Sequence, residues 1–159
     1  LAGSTGGRAG RGTRCLVTNL SAEPVYVVRV LATVTTDAGR WCNTVTEIRR
    51  GEEEEAPPDP ERVTRQGPLL TGHWRDIGSV SEVVEGAFET GGGGRLAGHE
   101  SARLELFVIA LYGSEDLPAG AYRTFTIRHE EGAWDVRPSA PDAVQIRGRR
   151  KRRQLMQQL

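Results

Sequence analysis

The sequence predicts a mainly β protein, an antiparallel β-sandwich or jelly-roll-like barrel of about seven or eight strands with one short helix. Three observations carry this expectation. Short runs rich in Val, Thr, Tyr and Leu recur from Cys15 to Ile146, the composition of a pleated, half-buried surface. Gly, Pro and charged clusters separate them, which marks turns rather than crossover helices. Only residues 80–88 place apolar side chains at helical spacing.

The elements follow in order. Residues 1–13 hold little to bury and read as a flexible Gly/Arg-rich arm. Residues 15–20 and 25–36 read as strands, split by Ser21-Ala22-Glu23-Pro24. In the second, Tyr26, Val28, Val30, Ala32 and Val34 alternate as one apolar face. Thr36 to Arg40 is a short turn in which Gly39 is free to take positive φ, and residues 41–49 return as a hairpin strand. Residues 51–60 carry four consecutive Glu and three Pro, a solvent loop that cannot supply a sheet ladder.

Ser79-Val80-Ser81-Glu82 has the form of a capping box and opens the helix, which the glycines at 91–94 end. Residues 102–112 form the strongest strand, with Leu104, Leu106 and Val108 on one face and Phe107, Ile109 and Leu111 on the other. Apolar residues on both faces place it centrally. Residues 122–128, 133–136 and 143–146 continue as a meander, the last as an edge strand. One domain, 14–146, therefore lies between the first arm and a basic C-terminal arm, 147–159.

Charge is distributed unevenly. The 21 acidic residues equal the 21 basic ones, yet every Asp and Glu lies between Glu23 and Asp142. Residues 15–146 hold 12 Arg against those 21 acids, a net of −9, and the flanks carry +9. Arg147, Arg149, Arg150, Lys151, Arg152 and Arg153 supply most of the flanking charge. No apolar run approaches the roughly 18 residues of a membrane span. The chain begins at Leu1, as a processed product or an excerpt does, so a missing targeting signal carries no weight.

Chemical motifs are weak. The glycines at 91–94 follow a helix and precede a strand, with His99 where a phosphate loop needs Lys, so neither a P-loop nor a dinucleotide fingerprint fits. His73, His99 and His129 show no metal-ligand spacing, and Cys15 and Cys42 form no C-x-x-C pair. Both cysteines lie in β-branched surroundings typical of inert thiols. Asn19-Leu20-Ser21 matches a glycosylation sequon, a pattern common by chance. No catalytic residue, metal or cofactor is expected.

Two functional expectations remain. The first is a non-enzymatic structural or assembly module whose partners are other subunits or copies of itself, with non-specific nucleic acid bound through Arg147, Arg149, Arg150, Lys151, Arg152 and Arg153. A sandwich with Gly-rich and Arg-rich arms is similar in organisation to virus coat or capsid-surface proteins, a likeness of architecture alone. The second is a secreted or cell-surface sandwich that binds a ligand or glycan near Trp74, using His73, Trp74 and Arg75. The plainer role for Trp74 is to anchor the start of the helix on the sandwich.

Overall fold

A computed structural model describes residues 13–45, 65–91, 101–113, 117–130 and 133–158. The expected loop at 51–60, all but Gly91 of the glycine run at 91–94, and all but Thr13 of the arm at 1–13 lie outside them. The order is β1 (Arg14–Thr18), β2 (Val25–Thr35), β3 (Arg40–Thr44), β4 (Gly67–Leu69), β5 (Trp74–Ser79), α1 (Val80–Gly91), β6 (Ser101–Tyr112), β7 (Ala119–Glu130), β8 (Ala133–Pro138), β9 (Val144–Ile146) and α2 (Arg149–Leu155). A 3₁₀ turn, Met156–Gln158, follows α2. The architecture is a β-sandwich with short helices: a seven-stranded antiparallel sheet and a two-stranded one, open rather than closed into a barrel.

Three long strands, β2, β6 and β7, form the centre of the large sheet. Short strands share its edges, β3 and β4 along β2, and β8 and β9 along β7. Short edges leave little unpaired backbone to recruit another chain. β6 is central as expected, and Leu104, Leu106 and Ile109 are each at most 1% exposed. Leu104 and Leu106 face the main core, whereas Ile109 lies on the opposite face beside the Phe107–Tyr122 pair, whose rings stand edge to face at 6.4 Å.

The alternation expected along β2 does not run its full length. The register against β6 shifts between Val27 and Arg29, so Val28 is an extra residue. Such a bulge reverses the phase of every side chain beyond it. Val27 is buried before the bulge, and Val30, Ala32 and Val34 after it, while Tyr26 is left 52% exposed.

The helix begins where its capping box predicts. Ser79 donates its N–H to Oε2 of Glu82 at 2.7 Å, and Ser79 Oγ accepts the Glu82 N–H at 3.2 Å. Val80, Val83, Val84, Ala87 and Phe88 are buried in the main core. Each large apolar side chain buried in this way contributes about 1.5–3 kcal/mol. The aromatic that meets the helix is Trp41, with its ring 4.8 Å from that of Phe88. Trp74 does not serve as the anchor: it sits on β5, ladder-paired with Thr18, and is 62% exposed.

Trp41 also accounts for Gly39. That glycine is absent from those at positive φ, so turn conformation does not require it. A Cβ there would stand 3.3 Å from the Trp41 ring. The turn is held instead by Thr36 N–H to Gly39 C=O at 2.9 Å and Ala38 N–H to Thr36 Oγ1 at 3.1 Å.

Strands β4 and β5 lie where no strand was expected, since Pro68 and the run Arg75, Asp76 and Gly78 resemble loop composition. Side chains make up for that composition. Arg75 donates to the carbonyls of Gln66 and Pro68, and Asn19 donates through Nδ2 to the carbonyl of Leu69 at 3.0 Å. Gly78 takes φ of 112°, and a Cβ there would lie 2.6 Å from the Arg65 guanidinium and 2.8 Å from Glu82. Arg14 meets Asp76 beside it at 2.5 Å.

Candidate functional site

The C-terminal basic segment contains a short helix. Residues Arg149–Leu155 form α2: Arg, Lys, Gln and Leu are good helix formers, but the segment is short and crowded with like charges. Seven residues are too few for an isolated helix in water. Gly148 supplies no side-chain cap, and the first turn holds no acid to match the positive end of the helix dipole.

Tertiary contacts hold it instead. Leu155 is 4% exposed and rests over Gly120 of β7. Arg152 donates Nε to the Pro118 carbonyl at 2.9 Å and Nη2 to the Leu117 carbonyl. Leu155 stands three residues beyond Arg152, so both face the sheet from one side of the helix.

The six predicted cations therefore divide. Arg152 is a structural clamp. Arg147 lies beyond β9 and donates Nε and Nη2 to Oε1 of Gln145, at 3.1 and 3.0 Å. Arg149, Arg150, Lys151 and Arg153 are exposed on α2. Arg153 follows Arg149 by four residues and Arg150 by three, so these three share one stripe. Like charges at that spacing repel by about 0.2–0.5 kcal/mol per pair. The stripe is thus held together by Arg152 and Leu155 rather than by its own interactions.

The second predicted patch does not converge in the same way. His73 and Trp74 are exposed, while Arg75 is committed to the carbonyls of Gln66 and Pro68. Trp74 and Arg75 are adjacent on a strand and so face opposite sides. Asn19 of the sequon is 6% exposed, with Nδ2 donating to the carbonyls of Glu23 and Leu69 and Oδ1 accepting from Ser21 N and Oγ. Both amide hydrogens are occupied in the fold.

Cys15 and Cys42 are not bridged, the first buried and the second exposed. Burial, with a further push from Asp76, raises the Cys15 thiol to about 12, so little thiolate forms near neutral pH. Position 129 pairs with position 134 in the β7–β8 ladder, and His99 lies outside the described residues. Among the described residues, no group of three or more His, Cys, Asp or Glu is placed to hold a metal, and no helix is long and apolar enough to cross a membrane.

Fold and site together define an open antiparallel β-sandwich that carries a short basic helix on its large sheet. No protein-family model, curated protein or solved structure matches the chain.

Proposed function

We propose that the protein is a non-enzymatic interaction module that engages an extended polyanion through α2. One observation carries this reading: Arg149, Arg150 and Arg153 form an exposed stripe on a helix that also exposes Lys151 and whose remaining basic residue, Arg152, is spent fixing it to the sheet. Guanidinium groups match phosphate geometry, and a polyanion would relieve the repulsion within the stripe. The acidic body repels phosphate on average, so affinity should reside in α2 and depend little on base sequence.

The test is a fluorescence-anisotropy titration of a single-stranded RNA oligomer at several salt concentrations, comparing the native chain with an Arg149→Gln, Arg150→Gln, Arg153→Gln variant. Three phosphate contacts correspond to a log–log salt slope of about −2, which the variant should lose. Equal affinity and slope in the two proteins would sink the proposal. Sedimentation of both proteins without RNA provides the contrast. A smaller assembly in the variant would mean that the stripe meets an acidic surface of another copy, the assembly role expected from sequence.

A further inference from the structure

The two most central strands taper in side-chain size along their shared ladder. Across β6 and β7, the pairs on the core face run Leu104 with Phe125, Leu106 with Arg123, Val108 with Ala121 and Ala110 with Ala119. Methyl groups end a face that starts with Leu and Phe. A groove of about 560 Å³ opens at this end, between the end of β1 and the β9–α2 corner. That volume lies within the range of small-molecule sites, roughly 300–1,000 Å³.

The groove selects by polarity. Val25, Val27, Leu69 and Val108 make its floor apolar. Asn19 and Ser21, on one wall, spend their hydrogen bonds on each other and on the Glu23 and Leu69 carbonyls. Among the described lining residues the charged ones are Arg147 and Arg152, with no Asp or Glu. Arg152 is committed to the Leu117 and Pro118 carbonyls. Arg147 gives Nε and one Nη2 hydrogen to Gln145, which leaves further N–H donors on an exposed guanidinium.

We propose that this groove binds a small aliphatic carboxylate, with its chain along the Ala110–Ala119 floor and its carboxylate on Arg147. The remaining Nη hydrogens of Arg147 suit a carboxylate, and Val25, Val27, Leu69, Val108, Ala110 and Ala119 offer apolar contact to its chain. Each buried methylene should add about fourfold in affinity. This site is separate from the stripe on α2.

Isothermal titration with decanoate, octanoate and decanol tests the assignment. Decanoate should bind one per chain, more tightly than octanoate, and about tenfold more tightly than decanol, which has the same chain but no charge. Arg147→Gln should remove most of that tenfold preference. Ala110→Leu should abolish binding while the protein still melts cooperatively. Should that variant not fold, Ala119→Leu and decanoate-induced shifts of the Val108 methyl resonances provide the same test. Neutralising Arg149, Arg150 and Arg153 should leave decanoate affinity unchanged, so the two sites stand or fall separately. Equal binding of decanol and decanoate, an undiminished Arg147→Gln variant, or absence of heat and of methyl shifts at millimolar decanoate would each overturn the proposal.

Discussion

Leu155 occupies the space over Gly120: a Cβ on residue 120 would stand 2.7 Å from Leu155 Cδ1 and 3.2 Å from Cε2 of Phe107. The missing side chain in β7 is therefore the seat of α2. Substituting Gly120→Ala should expel Leu155, and Leu155→Ala should empty the same seat. Both variants should speed amide hydrogen exchange across residues 149–155 by about tenfold or more while β6 keeps its protection. Gly113→Ala is the control, since a Cβ there meets nothing within 4 Å. Unchanged exchange in α2 for both variants would show that Arg152 alone holds the helix.

The centre of the sheet should be the least tolerant of truncation. Leu106 is 1% exposed and Ile109 fully buried, on opposite faces of β6. Replacing either by Ala should cost about 2–5 kcal/mol, measured from denaturant midpoints at constant m-value. Because the two residues face different sides, the double variant should be close to additive. A cost below about 1 kcal/mol at either position contradicts the packing of that face.

These two predictions mark what was legible in the sequence. β6 could be read because apolar residues fill both of its faces, and α1 because Ser79 and Glu82 sit at capping-box spacing. The bulge at Val28 could not be read, since Val25 to Val30 offers apolar residues in either phase apart from Arg29. β4 and β5 escaped because side-chain bonds from Asn19 and Arg75, the first of them spanning 50 positions, replace strand propensity there. At the candidate site the cations were visible, but their fixed geometry was not. It depends on Leu155 meeting Gly120, a pair separated by 35 positions that no local pattern connects.

The capping box makes a smaller, directional prediction. Ser79 Oγ satisfies an N–H of the first turn, and the Glu82 carboxylate satisfies the Ser79 N–H. Ser79→Ala should lower stability by about 1 kcal/mol, and Ser79→Asp should restore much of the loss because Asp also caps. Thermal melts of the two variants separate a cap from plain packing. If Asp proves as harmful as Ala, the small volume at the buried Ser79 matters more than its hydroxyl.

The last prediction concerns Cys15, which is 4% exposed in the main core. Its thiol is pushed up to about 12, chiefly by burial, with Asp76 adding to the rise and Arg65 and Arg14 opposing it. In the unfolded chain a thiol titrates near 8.5. Between those values the unfolded chain has released this proton and the native chain has kept it, so the native state binds more protons. Stability must then fall as pH rises, by up to about 1.4 kcal/mol per pH unit from this one group. Below the unfolded value both states are protonated, and the folded protein keeps its full stability. Other groups also titrate at alkaline pH, so the measurement is a difference: urea midpoints for the native chain and for Cys15→Ala, from about pH 8 to about pH 10. The variant should be less stable at the lower pH, where a buried side chain has been lost, and the gap should narrow as pH rises. A thiol reagent adds a kinetic check, because the exposed Cys42 should react at once and Cys15 only at the rate of opening. Parallel pH profiles for the two proteins, with Cys15 labelled as fast as Cys42, would mean that the β1 edge opens freely and leaves the thiol in water.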